Sequence, residues 1–436
     1  MTGRVDGQRE RPLVAFFDYH DVFEDFYPHY GVDQQSFATS WCNTGCHAWL
    51  SLIQQELADV VWCAFSLNPE FEEQQQHLIG IRVTMLRSSW LHRRLWRLFY
   101  LSRNSWRWRR WYQVYATIAC YLAPLSTSLL RQLRRERPDM IFVQDYATGR
   151  FDVFVLIARA MGIPVVAVHT GSRREAYLGK FLRRYTLRLA DWLFPSSNEE
   201  REMLRRTYGV SSDRMAIVYA PVDTAVYRPA DRELACEQLG LDPRRRYVLF
   251  VGRLQDKVKR VSELIRSFAQ LRHAHPDMDL LIAGDGPDRS CLESMARSIL
   301  GANGPESGGV VRFLGWVASD ASKAALYNAS ECLVLPSLKE AHAFVVAEAL
   351  ACGTPVVATS VGTIPEYFAT GTPGVLIEPG DEPALYSALE VVLSGGIRLS
   401  DMRREALRIA ESLFSPEGVT AAFRKSFESC LHTARE

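Results

Sequence analysis

Two glutamates eight positions apart, Glu340 and Glu348, follow a basic pair, Arg253 and Lys259, in one continuous half of the chain. The acids sit in Leu-Val-Leu-Pro-Ser-Leu-Lys-Glu340…Glu348…Gly353-Thr-Pro355. The apolar run Cys332–Leu335 reads as a buried strand stopped by Pro336. Phe344–Ala351 reads as a short helix ended by Gly353 and Pro355, and Pro355–Thr359 as the next strand. Strand, loop, helix and strand make one βαβ unit of a parallel sheet, where ligands bind outside the carboxyl ends of the strands. A helix N-terminus after Glu340 offers free N–H groups and the positive end of a dipole to a phosphate. Two acids beside a phosphate seat suit a ligand that also carries hydroxyls, such as a nucleotide sugar. Taken singly, Glu340 would equally well only favour a helix N-terminus, and Glu348 would equally well be a solvated helical acid.

The basic pair has a complementary chemistry. Gly252 allows a tight turn after the strand Tyr247–Val251. Arg253 offers a planar multi-donor fork and Lys259 a mobile point charge, with Lys257 a rival in register. Together they can neutralise a diphosphate as its bond to a sugar breaks. Asp285 lies in a Gly-Asp-Gly-Pro turn after the strand Leu280–Ala283. Asp277-x-Asp279 has the spacing of a metal-binding pair but is read as a solvated turn, and no metal is expected.

The elements that position these residues alternate strand and helix throughout. At 436 residues two domains are the natural division. Strands are expected at Leu13–Tyr19, Val60–Phe65, Ile141–Gln144, Pro164–His169, Trp192–Pro195 and Met215–Tyr219, and a helix at Phe151–Met161. Hydrophobic content of 47% and charged content of 23% are those of a globular protein, and a net charge of +1 argues against nucleic-acid binding. Nine cysteines in an odd, dispersed set suggest reduced thiols and a cytoplasmic setting. Residues 1–11, polar and charged, are expected to form a disordered tail rather than a signal peptide.

The string Pro-Ser-x-x-Glu340-x7-Glu348-Ala-x-Ala-x-Gly-Thr-Pro-Val-Val-Ala-Thr resembles the signature of family 4 type retaining glycosyltransferases with the GT-B fold. The resemblance implies an α/β protein of two doubly wound Rossmann-like domains facing a central cleft. It sets residues 12–229 as the acceptor-side domain and 230–415 as the nucleotide-sugar domain, with 416–436 as a helix crossing back to the first. It implies hexosyl transfer from a nucleotide diphosphate sugar to an acceptor hydroxyl, lipid-linked or on a glycan, with retention and without metal or cofactor. Arg253, Lys259 and Glu340 would be catalytic. Gly252, Asp285, Ala341, His342, Ala343, Phe344, Val345 and Glu348 would bind the donor. Where the family has Glu-Gly-Phe-Gly, this chain has Glu340-Ala-His342-Ala-Phe344, which narrows the backbone angles of the sugar loop.

In the first domain the family's usual histidine is absent, and Gln144 or Asp145 takes its place. His169, at the next strand end, and Gly45 complete the cleft candidates. Two other readings fit the same fold, a nucleotide-sugar epimerase and a catalytically degenerate partner protein. Between Arg82 and Arg137 stand thirteen arginines and one acid, with Trp90, Trp96, Trp106, Trp108 and Trp111 among them. Cations beside indoles suit a headgroup zone, so residues 82–111 are expected to touch a membrane surface peripherally. Trp111–Leu130 carries no charge, but Pro124 makes it a buried helix rather than a span.

Overall fold

The computed structural model describes residues 11–25, 27–41, 44–71, 74–101, 109–169, 179–219, 221–300, 310–340 and 342–433. The chain divides into two compact units, residues 1–218 with 420–436 and residues 219–419. The division falls earlier than the expected 229, and the C-terminal stretch of the chain belongs to the first unit from Thr420 onward.

The first unit is built on a seven-stranded sheet of order β3-β4-β2-β1-β5-β6-β7. Its strands are β1 (Leu13–Phe17), β2 (Asp59–Ser66), β3 (Gln75–Gln76), β4 (Arg82–Arg87), β5 (Met140–Gln144), β6 (Val165–Val168) and β7 (Trp192–Phe194). All pairings are parallel except β3 with β4. The central strands are continuous apolar runs because helices cover both faces; all of Leu-Val-Ala-Phe-Phe in β1 is buried. The helix Gly149–Met161 fills one crossover and is ended by Gly162, whose φ of 68° lets its N–H reach Ala158 and Arg159 carbonyls. The C-terminal helix Pro416–Thr433 places Phe423 against Trp49, Phe142 and Phe194 at ring distances of 4.8–5.8 Å. Burial of that ring contributes on the order of 2–3 kcal/mol.

The second unit holds a six-stranded parallel sheet of order β10-β9-β8-β11-β12-β13. These are β8 (Arg246–Val251), β9 (Met278–Ala283), β10 (Val311–Gly315), β11 (Cys332–Leu335), β12 (Val356–Thr359) and β13 (Gly374–Ile377). In each sheet the strand order reverses beside the first strand, which leaves a crevice at the carboxyl ends.

Several expectations need correction. Met215–Tyr219 is no strand; only Met215 forms an isolated bridge to Leu193. Arg11, assigned to the tail, donates to the Gln54 carbonyl at 2.7 Å, and residues 1–10 lie outside the described ones. Arg82–Arg87, placed in the membrane-facing stretch, is strand β4 with Val83, Thr84, Met85 and Leu86 buried. Arg82 and Arg135 both meet Glu136, at 3.1 and 3.2 Å, so part of the basic excess is consumed within the fold. Residues 102–108 lie outside the described residues, and Trp106 and Trp108 with them. The chargeless stretch from Trp111 forms the helix Arg109–Leu122, stopped before Pro124, and then the helix Thr127–Glu136. Among the described residues no helix is long and apolar enough to cross a membrane. Asp279 is no solvated turn residue: it is buried in β9 and meets Arg245 at 2.6 Å and Arg312 at 3.2 Å.

Candidate active site

The second unit assembles its basic and acidic residues from three strand ends. After β8 the chain turns at Gly252, whose N–H donates to the Ala283 carbonyl at 2.9 Å. The Gly284-Asp285-Gly286 turn after β9 lies directly against it, with Leu254 N–H donating to the Asp285 carbonyl at 2.9 Å. Gly284 has φ 145°, and a Cβ there would sit 1.9 Å from the Gly252 carbonyl oxygen, so only glycine lets the two turns touch. Arg253 is exposed on this turn and makes no ion pair with a described residue. The short helix Asp256–Lys259 follows. Leu338 N–H donates to its Val258 carbonyl at 2.8 Å, tying the loop after β11 to it. Lys259 Nζ thereby comes within 2.5 Å of Glu340 Oε1, with both side chains largely shielded. Lys257, the rival in register, is exposed and pairs with no described residue.

The helix Phe344–Ala351 begins at Ala343, which makes no side-chain capping bond. Phe344 and Val345 form its partly exposed first turn. His342 is half-buried with its ring 5.9 Å from Phe344, and Ala341 lies outside the described residues. Glu348 is buried deeper in the helix. Its Oε2 accepts the Tyr327 hydroxyl at 2.7 Å, and Lys323 Nζ stands 3.6 Å from Oε1. Lys323 in turn meets Asp320 at 2.7 Å, and Asp320 accepts the Tyr227 hydroxyl at 2.8 Å. Burial lifts the Glu348 carboxyl above its ordinary value despite Lys323 and the Tyr327 hydroxyl. Burial and Glu348 together push the Tyr327 hydroxyl well up. Asp285 is exposed, accepts Gly286 N–H at 2.7 Å and pairs with Arg289 at 3.2 Å.

In the first unit Gln144 ends β5 and is buried. Asp145 follows with φ 85°, a left-handed conformation uncommon outside glycine, and is fully buried. Its carboxylate accepts Ala147 N–H at 2.8 Å, which holds the turn. His169, just past β6, has Nδ1 2.7 Å from Glu200 Oε1 and its ring stacked 5.4 Å from Tyr146. Glu200 also accepts the Tyr146 hydroxyl at 2.9 Å and both the N–H and the hydroxyl of Ser196. Burial would raise the Glu200 carboxyl, but the bonds from His169 and Ser196 outweigh it and bring it to about 2. Gly45 lies in the first turn of the helix Thr44–Leu52 rather than in a loop.

Sequence reasoning missed Glu200, whose only signal was its place in Ser-Ser-Asn-Glu-Glu at a helix start. It also missed the buried group at the end of β1. There the Tyr27 hydroxyl lies 2.7 Å from Asp18 Oδ2 and 2.8 Å from His20 Nδ1. The expected strand Leu13–Tyr19 takes in Asp18, whereas β1 ends at Phe17, and nothing in the sequence singled out His20.

Comparison with known proteins now adds a family to this geometry. Residues 52–226 match the family described as Glycosyltransferase Family 4, and residues 245–394 match Glycosyl transferases group 1. A D-inositol 3-phosphate glycosyltransferase 1 of Catenulispora acidiphila is 30% identical over 311 residues, covering 66% of this chain and 73% of the relative. The chain belongs to the family 4 glycosyltransferases. A second similar protein, the D-inositol 3-phosphate glycosyltransferase of Rhodococcus opacus, is 35% identical over 240 residues, covering 55% of this chain and 53% of the relative. This family 4 chain thus spans about half the length of the first curated relatives it matches. Among solved structures, sucrose-phosphate synthase from Thermosynechococcus elongatus superposes with a TM-score of 0.71 at 18% identity, covering 97% of this chain and 100% of that one. Anabaena HepE in complex with UDP superposes with a TM-score of 0.67 at 15% identity, covering 96% and 100%. With its two parallel Rossmann-like sheets, the family 4 chain has the GT-B fold.

Proposed function

We propose that the chain is a nucleotide-sugar-dependent glycosyltransferase that moves a hexosyl group from a nucleotide diphosphate sugar to an acceptor hydroxyl, with retention and without a metal. The observation that carries this reading is the 2.5 Å contact of Lys259 with Glu340 beside the Arg253 turn, with buried Glu348 on the helix that follows. Lys259 and Arg253 neutralise the diphosphate as the bond from the anomeric carbon to its oxygen breaks. The acceptor oxygen bonds to the anomeric carbon on the face the diphosphate leaves, and the acceptor proton passes to a diphosphate oxygen. Glu348 takes the ribose hydroxyls, and Glu340 with the loop to Phe344 holds the sugar.

A panel of nucleotide sugars with acceptors, read by anomeric proton NMR in excess chelator, tests the reading. The α-anomeric configuration of an α-linked donor is kept in the product, and chelator leaves the rate unchanged. Free sugar and nucleotide released without acceptor would point to an epimerase instead. Donor binding with no turnover on any acceptor would point to a degenerate partner.

Peripheral membrane contact through residues 82–111 is a second reading, and the described residues that support it lie at the start of the helix Trp90–Leu101. Trp90 is 64% exposed, Leu91 41%, and the Arg94 guanidinium lies 5.5 Å from the Trp90 ring centre. The protein should sediment with anionic liposomes at low salt and be released at high salt. A protein that stays in the supernatant at low salt sinks this reading.

A further inference from the structure

The helix Asp320–Ala329 carries three polar side chains on one face. Asp320, Lys323 and Tyr327 stand at i, i+3 and i+7 and follow one another along it. An aspartate and a lysine three apart near a helix start usually form a solvated pair. Here the lysine is sheltered: its side chain is only 12% exposed, against 51% for Asp320. Burying an ammonium group is costly unless its charge is met. Lys323 Nζ meets Asp320 Oδ1 at 2.7 Å and stands 3.6 Å from Glu348 Oε1, and the Tyr227 ring centre lies 5.5 Å from it. Tyr227 donates its hydroxyl to the same Asp320 oxygen at 2.8 Å. One lysine therefore serves two acids, and the tighter contact goes to the more exposed of them.

That division leaves Glu348 half satisfied. Its Oε2 accepts the Tyr327 hydroxyl at 2.7 Å, whereas Oε1 accepts no hydrogen bond from a described residue and has Lys323 beyond bonding distance. At 3.6 Å the ammonium still acts as a charge. Burial favours the neutral acid, as does Asp320, and Lys323 and the Tyr327 hydroxyl oppose them. Tyr227 and Cys352 also feel the carboxylate, and both stay neutral because burial and Glu348 hold their protons on. The other elements packed on the Glu348 helix bring no buried charge to it. The helix Ile397–Phe414 turns Met402, Ala406, Ile409 and Ala410 inward, and strand β12 is Val-Val-Ala-Thr. Among the described residues, then, Lys323 is the cation that keeps Glu348 ionised. A lysine closed onto Oε1 would occupy the oxygen that a ligand needs. With no lysine, burial would leave a neutral acid, itself a donor.

We infer that Lys323 is a positioning residue for the donor nucleotide: Asp320, steadied by the Tyr227 hydroxyl, holds it near enough to Glu348 to balance the carboxylate and far enough to leave Oε1 open to the ribose hydroxyls. The inference rests on the reading of Glu348 as the ribose acceptor. It adds that this acceptor needs a cation at a set distance, and that the Asp320 contact sets the distance.

The test is calorimetry on the full chain with uridine, adenosine and guanosine diphosphates and their 2′,3′-dideoxy analogues from pH 5 to 8. The affinity ratio within each pair isolates the ribose hydroxyls and cancels the titration of the diphosphate itself. For the preferred base, the wild-type ratio should be at least about tenfold at pH 8 and fall as Glu348 gains a proton. Lys323→Met removes the cation, so the fall should begin about one pH unit or more higher. Asp320→Asn removes the acid that holds Lys323 off, so the fall should move to lower pH, and the ratio at pH 8 should drop about threefold as the lysine takes Oε1. Should Lys323→Met fail to fold, Asp320→Asn decides alone by the direction of its shift. A lysine with a structural role only would give variants that weaken both members of a pair alike at every pH. That result, or shifts of the same sign in the two variants, overturns the inference. Wild type and Glu348→Gln report on the donor reading. A wild type that binds no nucleoside diphosphate, or both members of every pair equally, removes the ribose contact and this inference with it. A wild-type ratio that Glu348→Gln erases and the other two variants leave unchanged sinks this inference alone.

Discussion

Glu200 in the first unit and Glu348 in the second are both buried acids, and they end in opposite electrostatic states. Burial raises each. Glu200 receives the Tyr146 hydroxyl, the Ser196 N–H and hydroxyl, and His169 Nδ1, and settles at about 2. Glu348 receives one hydroxyl, from Tyr327, with Lys323 held off at 3.6 Å and shared with Asp320, and it stays above its ordinary value. Donor count decides between desolvation and ionisation. Glu200 is complete without a ligand and orients His169. Glu348 is short of donors, which is the state expected of an acid that completes its set with ligand hydroxyls.

The largest expected effect breaks the second unit at its ion pair. Lys259→Ala and Arg253→Ala should each lower turnover at least about 100-fold, on the order of 3 kcal/mol of transition-state stabilisation. Lys257→Ala, at an exposed position without a described partner, should stay within about twofold. Steady-state kinetics on the three variants is the measurement. Equal losses at 257 and 259 would undo the register that the Glu340 contact assigns.

Much of the second unit was legible beforehand, because backbone needs and chemistry there coincide in one string. Pro336, Gly353 and Pro355 punctuate the elements, and glycines at 284 and 286 mark turns that must touch. Strand β11 appeared at its expected residues, Cys332–Leu335. The first unit was legible in layout and opaque in its site. Strand β4 begins and ends with arginine, and its buried interior is only four residues long and includes Thr84, so the basic run around it masked the strand. The carboxylate that holds His169 comes from a helix three elements later, and no local pattern announces such a pairing.

Acid should separate the two glutamates. A carboxyl held near 2 in the fold and near 4.5 unfolded contributes stability that is fully present above about 4.5 and is lost as pH falls toward 2. Glu200→Gln should therefore cost about 2–3 kcal/mol at pH 7, and the cost should vanish near pH 2. Glu348 runs the other way. Its folded value is raised, so its ionisation destabilises the fold progressively as pH rises past the ordinary carboxylate range. Glu348→Gln should thus be no less stable than wild type at pH 7. Denaturant unfolding of both variants from pH 3 to 7 reads the two signs, and parallel pH profiles would erase the distinction drawn here.

Binding sharpens it further. Glu348→Gln should weaken nucleoside diphosphate affinity about tenfold, near 1.4 kcal/mol, through the ribose hydroxyls it no longer meets as a charged acceptor. Glu340→Gln should leave that affinity within about threefold while lowering turnover. Calorimetry with the free nucleotide separates them. Unchanged affinity in Glu348→Gln would remove this acid from the ligand and make its donor shortage a matter of packing alone.

The smallest effect concerns Asp145, where the first unit carries backbone strain at a buried non-glycine residue, a conformation the second unit gives mostly to glycine, with Arg260 at φ 54° the described exception. Its φ of 85° resembles positions that Gly284 or Gly353 fills in the second unit, at 145° and 71°. A non-glycine residue there costs on the order of 1 kcal/mol. Asp145 recovers part of that through its carboxylate, which accepts Ala147 N–H at 2.8 Å, a bond worth about 1 kcal/mol. The two terms nearly cancel, so the residue is held by its own turn. Asp145→Asn keeps an acceptor and tolerates the left-handed region, and should leave stability within about 0.5 kcal/mol. Asp145→Gly relieves strain but loses the bond and loosens the unfolded chain, and should lie within about 1 kcal/mol of wild type. Asp145→Ala keeps the strain and loses the bond, and should be the worst of the three by about 1 kcal/mol or more. Thermal unfolding ranks them. If alanine matched asparagine, the side-chain bond would hold nothing, and the strained turn would have to be maintained by the sheet alone through Asp145 N–H and the Val168 carbonyl, 2.7 Å apart.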